Sequence, residues 1–318
     1  MDMMPQRDGP VQAIEAIRLK LPNVVIKHDE PMSNHTTFKI GGPVYAMLFP
    51  ENTDELIKIN EILKTYEITP FILGNGSNIL ATDKRLDLIV VKTSKTNNIS
   101  FIDKEDPAEQ ENLIITVDAG VLLSEAAVFA YKNGLTGLEF AHGIPGTIGG
   151  AVVMNAGAYG REMKDVVYST TVYDSGVGKK ELTAADNEFS YRKSRFITSG
   201  ETVLSTVLQL ETGKVEDIKQ KMRDLENRRH KSQPLDFPSA GSTFKRPKEG
   251  YAAALIEQAG LKGHTIGGAQ VSEKHTGFII NRGNASFSDT VALIEHIQKE
   301  VSKQFGILLE PEIKILYK

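Results

Sequence analysis

The positions of apolar residues along the chain follow two patterns. Spacing of three or four residues predicts helices, and alternation or a short apolar run predicts strands. Apolar residues recur every three or four positions in six stretches, which are predicted helices: residues 11–21, 53–68, 124–134, 214–231, 251–259 and 288–305. Alternating or short apolar runs predict strands at residues 43–49, 70–73, 88–91, 113–120, 166–174, 202–210, 277–281 and 307–316. Thr53 and Ser124 are the predicted N-caps of the second and third helices, while Gly134 and Gly306 are predicted to end the third and sixth.

The mixture of helices and strands extends over 318 residues without an internal repeat. A chain of this length is usually too long to fold around a single hydrophobic core, so two or three domains are expected.

Composition narrows the possible classes of function. The net charge of −4 gives no basis for binding nucleic acid or an anionic membrane. The chain contains no cysteine, which excludes disulfides, thiolate nucleophiles and cysteine-based metal sites. The seven histidines lack metal-ligand spacing, so no metal site is expected.

The N-terminal residues indicate a location. MDMMPQRDGP has no apolar core of the kind that a secretory signal needs, and no apolar run is long enough to span a bilayer. The protein is therefore expected to be cytoplasmic, with a short leader at its start.

A first glycine-rich segment, LGNGSNIL (73–80), follows a predicted strand. It lacks the third glycine of a dinucleotide-binding fingerprint, and the chain has no P-loop. Backbone N–H groups of such a turn can form an anion-binding concavity. The alternative is an ordinary tight turn after a strand.

A second segment, IPGTIGGAVVMNAGAYG (144–160), carries five glycines and no charge. Glycine is used where a backbone must approach a ligand without a Cβ in the way. Two such loops would suit the two ends of a long dinucleotide. The alternative is close packing of a helix on a strand.

Three polar residues are candidates for chemistry, although each has an ordinary structural explanation. Arg192 lies in a predicted loop between strands, where arginines are usually solvated. Ser242 lies in a predicted turn, where a serine usually makes only local hydrogen bonds. Glu312 belongs to the polar face of the last predicted strand, together with residues 310 and 314.

Seven segments in this order closely resemble UDP-N-acetylenolpyruvoylglucosamine reductases, flavoproteins of bacterial peptidoglycan precursor synthesis. The resemblance runs from about residue 20 to the C-terminus. The segments are NHTTFKIGGP (34–43), LGNGSNIL, the 144–160 segment, YRKSRF (191–196), PSAGSTFKRP (238–247), LKGHTIGGAQVS (261–272) and LEPEIKIL (309–316).

The resemblance implies an α+β fold: a two-part FAD-binding fold of the vanillyl-alcohol-oxidase type (PCMH), followed by a C-terminal α/β substrate-binding domain. The implied division is a leader and short helix at 1–20, a first FAD-binding subdomain at 21–92 completed by the strand at 306–318, a second at 93–213, and a substrate-binding domain at 214–305.

The resemblance also implies non-covalent FAD, NADPH as reductant, and reduction of the enolpyruvyl sugar nucleotide to UDP-N-acetylmuramate. Hydride would reach C3 of the enolpyruvyl group while C2 is protonated. By motif match, Arg192 and Glu312 would stabilise charge at the substrate carboxylate, and Ser242 would protonate C2. The implied FAD-binding residues are Gly74, Asn75, Gly76, Ser77, Asn78, Gly146, Thr147, Gly149 and Gly150.

The short spacing from Tyr159 to Tyr191 resembles the shorter type of this family, which lacks a tyrosine-bearing loop. Tyr191, Lys231, Lys245 and Arg246 are expected to bind the substrate. The partners expected are these small molecules, and the protein is expected to be a monomer. The alternatives are an FAD-linked oxidase of the same superfamily and a non-catalytic protein that binds flavin or a UDP-sugar.

Overall fold

The computed structural model describes residues 9–102 and 112–317. Most of the predicted leader therefore lies outside the described residues. Within them the helices are α1 (Gly9–Lys20), α2 (Thr53–Thr65), α3 (Leu123–Lys132), α4 (Ile148–Met154), α5 (Phe196–Ser199), α6 (Val215–Ser232), α7 (Ala252–Gln258) and α8 (Phe287–Phe305).

The strands of the described residues are mostly short. They are β1 (Val25–His28), β2 (Val44–Phe49), β3 (Phe71–Leu73), β4 (Ile79–Ala81), β5 (Leu86–Lys92), β6 (Ile99–Phe101), β7 (Asn112–Asp118), β8 (Leu135–Thr136), β9 (Gly157–Ala158), β10 (Arg161–Glu162), β11 (Val167–Asp174), β12 (Gly178–Thr183), β13 (Thr202–Thr212), β14 (Ser239–Ser242), β15 (Thr265–Ile266), β16 (Ala269–Val271), β17 (Phe278–Asn281) and β18 (Lys314–Leu316).

The chain divides into two compact units, and each is built from several segments. The first contains the described parts of residues 1–27, 46–74 and 88–225, and the second contains 28–45, 75–87 and 226–317. These limits differ from those of the implied three-part division, which stays a prediction.

The main sheet of the first unit has the order β12-β11-β13-β7-β6, with β8 also paired to β13. Each of these pairings is antiparallel. The core of this unit forms where buried residues of the sheet meet α3 and α4, and Ile115, Val117, Ala126 and Val152 are almost fully buried there. A second sheet, in the order β1-β2-β5-β3, contains the parallel pair β3 and β5.

The second unit is built around the antiparallel sheet β14-β17-β16-β15. Helix α8 buries Leu293, Ile294, Ile297 and Val301, which follow the helical spacing seen in the sequence. Strand β18 pairs in parallel with β4.

Helix ends follow the predicted signals with small shifts. The N-cap of α2 is Asn52, whose side chain accepts a hydrogen bond from the N–H of Glu55 at 2.9 Å, so the prediction of Thr53 is wrong by one residue. Ser124 is not a cap either, because α3 begins at Leu123. Gly306 ends α8 in the left-handed conformation, with φ 70°, as predicted.

Several observed elements were not predicted from the sequence, and one predicted strand is shorter than expected. The glycine-rich segment at 144–160 contains a helix, α4, although its glycines favour a loop. Strand β12 was missed because it is a short, lysine-bearing edge strand. Of the predicted strand at 307–316 only Lys314–Leu316 is regular, since Pro311 lacks the N–H that a ladder needs.

Candidate active site

The first half of the glycine-rich segment starts a helix against the end of β7. The N–H groups of Ile148 and Gly149 donate to the carbonyls of Val121 and Ala119 at 2.8 and 2.9 Å. A Cβ on Gly149 would lie 2.9 Å from the Ala119 Cβ and 3.1 Å from its carbonyl oxygen. Close packing against Ala119 therefore explains why residue 149 is glycine. This is the alternative to ligand contact that was stated for the glycine-rich segment.

Gly150 differs from its neighbour. It is exposed, and the nearest atom to a Cβ placed on it is Thr147 Oγ1 at 3.5 Å, an ordinary contact distance. Thr147 is the N-cap of α4, and its Oγ1 accepts a hydrogen bond from Gly150 N–H at 3.4 Å. Since a Cβ at Gly150 would meet no close atom of a neighbouring element, packing does not explain this glycine, and its bare backbone fits close approach by a ligand.

Contacts with other residues of the chain explain both glycines of the loop at 74–78. A Cβ on Gly74 would lie 2.3 Å from Thr147 Oγ1, and one on Gly76 would lie 2.2 Å from the carbonyl oxygen of His35. The Asn78 side chain donates to the carbonyl of Glu312 at 3.3 Å. Asn75 and Ser77 are half-buried, as are Gly74 and Asn78, while Gly76, Gly146 and Thr147 are buried.

Lys92, at the end of β5, was not among the candidate residues predicted from the sequence. Its side chain is buried, with 8% exposure, and its Nζ donates to the Gly74 carbonyl at 2.7 Å. Burial lowers the pKa of Lys92 to about 8. Among the described residues no carboxylate forms an ion pair with it. A desolvated ammonium group beside a glycine-rich turn fits the diphosphate of FAD. The only signal in the sequence is a lysine that directly follows the apolar run LIVV.

Arg192 lies at the tip of a tight turn in the first unit. Ser190 and Lys193 exchange both backbone hydrogen bonds, at 2.9 and 3.1 Å. Arg192 has φ 53°, a left-handed value that a residue with a long side chain rarely adopts. Its Nη2 donates to the Gly157 carbonyl at 2.9 Å. Tyr191 is 48% exposed, and the Arg192 guanidinium lies 5.0 Å from the centre of its ring.

Ser242 and Glu312 are neighbours within the second unit. Ser242 is exposed and ends strand β14, so the prediction that it lies in a turn is wrong. The register of β14 against β17 shifts between Ser239 and Ser242, a bulge that changes the direction in which a side chain points. Glu312 N–H donates to the Thr243 carbonyl at 2.8 Å, which holds the half-buried glutamate beside the residue that follows Ser242.

Of the remaining cations expected to bind substrate, Lys231 and Arg246 are exposed and Lys245 is half-buried. Lys231 lies at the C-terminal end of α6 and is exposed. Lys245 forms an ion pair with Glu310. The Arg246 guanidinium lies 4.1 Å from the centre of the Tyr251 ring.

No helix among the described residues is both long enough and apolar enough to cross a membrane.

Comparison with known proteins identifies the family and its domains. Residues 44–180 match the family described as FAD binding domain, and residues 233–316 match the C-terminal domain of UDP-N-acetylenolpyruvoylglucosamine reductase. A UDP-N-acetylenolpyruvoylglucosamine reductase from Caldanaerobacter subterraneus is 51% identical over 288 residues, which cover 91% of this chain and 92% of the relative. Another, from Agathobacter rectalis, is 43% identical and covers 95% and 98% of the two chains.

A solved structure is similar over nearly its whole length. The UDP-N-acetylenolpyruvylglucosamine reductase from Thermus caldophilus superposes with a TM-score of 0.76 at 30% identity, covering 93% of this chain and 99% of that one.

The fold and the matched domain define an FAD-containing oxidoreductase with the two-part FAD-binding fold and the C-terminal domain that the resemblance implied. The chain belongs to the UDP-N-acetylenolpyruvoylglucosamine reductase family. The predictions of fold class, family and FAD are thus confirmed, whereas the roles of individual site residues stay predictions.

The two adjacent glycines of α4 give opposite predictions for apo-protein stability. Gly149→Ala should lower the free energy of unfolding by about 1–3 kcal/mol, because the new Cβ overlaps Ala119. Gly150→Ala should raise it by about 0.5–1 kcal/mol, since alanine favours a helix and meets no close atom. Urea unfolding of the apo-proteins measures both values.

FAD affinity then separates packing from ligand contact at these positions. Gly150→Ala should bind FAD more weakly than wild type in spite of its more stable fold, as measured by flavin fluorescence titration. Unchanged affinity would show that FAD does not approach Gly150, and an undiminished apo stability in Gly149→Ala would remove the packing explanation.

Lys92→Met should weaken FAD binding by about 10–100-fold, the usual value of a hydrogen bond to a charged group. The exposed Lys95, which pairs with Glu51 at 2.8 Å, provides the matched control Lys95→Met. Wild-type affinity in Lys92→Met would mean that this lysine only supports the Gly74 turn.

The pH dependence of apo stability provides a second readout for Lys92. Its pKa is about 8 in the folded chain against 10.5 for the unconstrained side chain, so the unfolded state binds more protons between these pH values. Wild-type stability should therefore gain a contribution as pH rises from about 8 to 10.5. Lys92→Met lacks that contribution, and parallel stability curves for the two proteins would contradict the assignment.

Proposed function

We propose that this protein is an FAD-dependent enzyme that reduces UDP-N-acetylenolpyruvoylglucosamine to UDP-N-acetylmuramate with NADPH, a step in making peptidoglycan precursors. The observation that carries the proposal is the match to reductases of this name over more than nine-tenths of the chain. The three residues named by the family's motifs, Arg192, Ser242 and Glu312, are all in place in those motifs.

FAD, when bound, would supply the means of taking hydride from NADPH and passing it to C3 of the enolpyruvyl group. In this proposal Lys92, Gly150 and the 74–78 turn hold the cofactor. Two observations support this part of the proposal: the buried Lys92 ammonium group donates to the Gly74 carbonyl, and the backbone of Gly150 is open to close approach.

Arg192 is proposed to bind the substrate carboxylate. Adding hydride at C3 drives negative charge toward C2 and the adjoining carboxylate, and a planar guanidinium can hold a carboxylate through two parallel hydrogen bonds. The left-handed backbone at Arg192 supports this role, because strained conformations of bulky residues occur preferentially at functional sites.

Ser242 is proposed to deliver the proton to C2. A serine hydroxyl is a weak acid, but a developing carbanion is a strong base, so the proton transfer is favourable once charge has built up. The bulge before Ser242 supports the assignment, since bulges often redirect a side chain beside an active site.

Glu312 is proposed to assist at the same carboxylate by hydrogen bonding. Its backbone is fixed on both sides, by Thr243 through its N–H and by Asn78 through its carbonyl. This anchoring supports a defined position for the carboxyl group close to Ser242.

We also propose that the enzyme works in the cytoplasm as a monomer. Its substrates are nucleotide-linked precursors and NADPH, which are cytoplasmic metabolites. Sedimentation equilibrium distinguishes a single chain from a dimer.

Anaerobic stopped-flow absorbance tests the function and the role of Ser242 together. In the wild type, NADPH should bleach the flavin, and the enolpyruvyl sugar nucleotide should restore its colour. Ser242→Ala should bleach at close to the wild-type rate, since serine takes no part in that step. Its recolouring should slow by ~10²–10⁴-fold, as for a lost general acid.

Ser239→Ala, on the same strand, is the matched control and should behave like wild type. Recolouring of Ser242→Ala at the wild-type rate would remove Ser242 from the chemistry. A wild-type flavin that oxygen reoxidises rapidly but the sugar nucleotide does not would point to an oxidase, and a flavin that NADPH never bleaches would point to a binding protein.

A further inference from the structure

The second half of the glycine-rich segment makes contacts that the FAD assignment does not use. After α4 the chain turns into the hairpin of β9 and β10, in which Gly157 pairs with Glu162. A Cβ on Gly157 would lie 2.4 Å from the Arg161 carbonyl oxygen, so the hairpin requires glycine at this position. Gly157 is thus explained by the fold of the hairpin itself.

The hairpin supplies two contacts to Arg192. The Gly157 carbonyl accepts a hydrogen bond from Arg192 Nη2 at 2.9 Å, and Glu162 Oε1 lies 3.5 Å from Nη1. The Arg192 and Glu162 side chains are each only 19% exposed. Because these two contacts from one hairpin involve different nitrogens, Nη2 and Nη1, together they restrict the plane of the guanidinium more than either contact would alone.

Asn155 holds the carboxylate that contacts Arg192. This residue is fully buried at the C-cap of α4, in the left-handed conformation with φ 42°. Its Nδ2 donates to Glu162 Oε2 at 3.0 Å and to the Ser190 carbonyl at 3.0 Å, while its Oδ1 accepts from Lys164 N–H at 2.9 Å. Asn155 therefore connects the hairpin to the turn that carries Arg192.

The two oxygens of Glu162 are used differently. Oε2 contacts Asn155 and lies 3.1 Å from Lys164 Nζ, whereas Oε1 faces Arg192. We propose that Glu162, anchored by Asn155, is a positioning residue that orients the Arg192 guanidinium for the carboxylate of the enolpyruvyl substrate. This inference rests on the proposed role of Arg192.

The physical basis is preorganisation. A free arginine side chain has many rotamers, and a substrate that must fix them loses binding energy in doing so. A guanidinium that is already oriented meets the developing charge without that rearrangement. Glu162 touches neither the substrate nor the cofactor in this account, and it acts through Arg192.

Glu162→Gln is the sharpest test because it changes the contact with Arg192 while conserving size. The new side chain keeps one oxygen for Asn155 and Lys164 but loses the carboxylate charge that faces Nη1. The FAD affinity of Glu162→Gln should equal that of wild type, and NADPH should bleach the FAD-loaded variant at the wild-type rate. Recolouring by saturating enolpyruvyl substrate should slow by about 10-fold or more. Glu181→Gln, whose carboxylate accepts from Ser169 at 2.6 Å, is the matched control.

A double-mutant cycle with Arg192→Lys provides a readout that general destabilisation would not move. A lysine cannot use an oriented fork, so Glu162→Gln should add little in the Arg192→Lys background. Effects that multiply would overturn the inference, as would equal slowing of both half-reactions or weaker FAD binding in Glu162→Gln.

The same experiment distinguishes failure of the inference from failure of the proposed function. If Arg192→Lys recolours at the wild-type rate, the proposed role of Arg192 is wrong. If Arg192→Lys is slow while Glu162→Gln matches wild type, only the positioning role is overturned.

Discussion

The proposed substrate-binding part of the first unit depends on the hydrogen bonds of the Asn155 side-chain amide. This amide is completely buried, and it pairs with three groups from the hairpin region and the Arg192 turn. A buried amide whose hydrogen bonds are satisfied specifies one arrangement, because any other would leave polar groups unpaired. The left-handed backbone of Asn155 ends α4 and turns the chain into the hairpin.

Asn155 separates the glycine-rich segment into two parts, to which we assign different proposed roles. The part before Asn155 contains the packing contact of Gly149 and the open face of Gly150, which we connect with FAD. The part after it contains Gly157, which we connect with the orientation of Arg192. In this proposal the two parts of one uncharged, glycine-rich segment contribute separately to the cofactor site and to the substrate site, which the composition of the segment alone did not indicate.

The sequence predicted the elements whose signals are local. Helices such as α8 have regular apolar spacing and a glycine at the end, and both survive in the structure. Helix α4 was missed because its glycines favour a loop and its stability comes from packing on β7 and β13. Motifs in the sequence pointed to Arg192, Ser242 and Glu312 as candidates, whereas no motif pointed to Lys92 or Glu162. Lysine and glutamate are usually solvated, and only the fold reveals that these two are largely buried.

The division of the segment at Asn155 is tested most directly by Asn155→Gly, which keeps a residue suited to the left-handed backbone and removes the amide. The measurement compares FAD affinity with the rate at which the enolpyruvyl substrate recolours the reduced enzyme. We expect FAD affinity close to that of wild type and recolouring slowed by about 10-fold or more, because Arg192 loses its oriented support. Loss of FAD affinity in proportion to the loss of rate would contradict the division and make the whole segment part of the cofactor site.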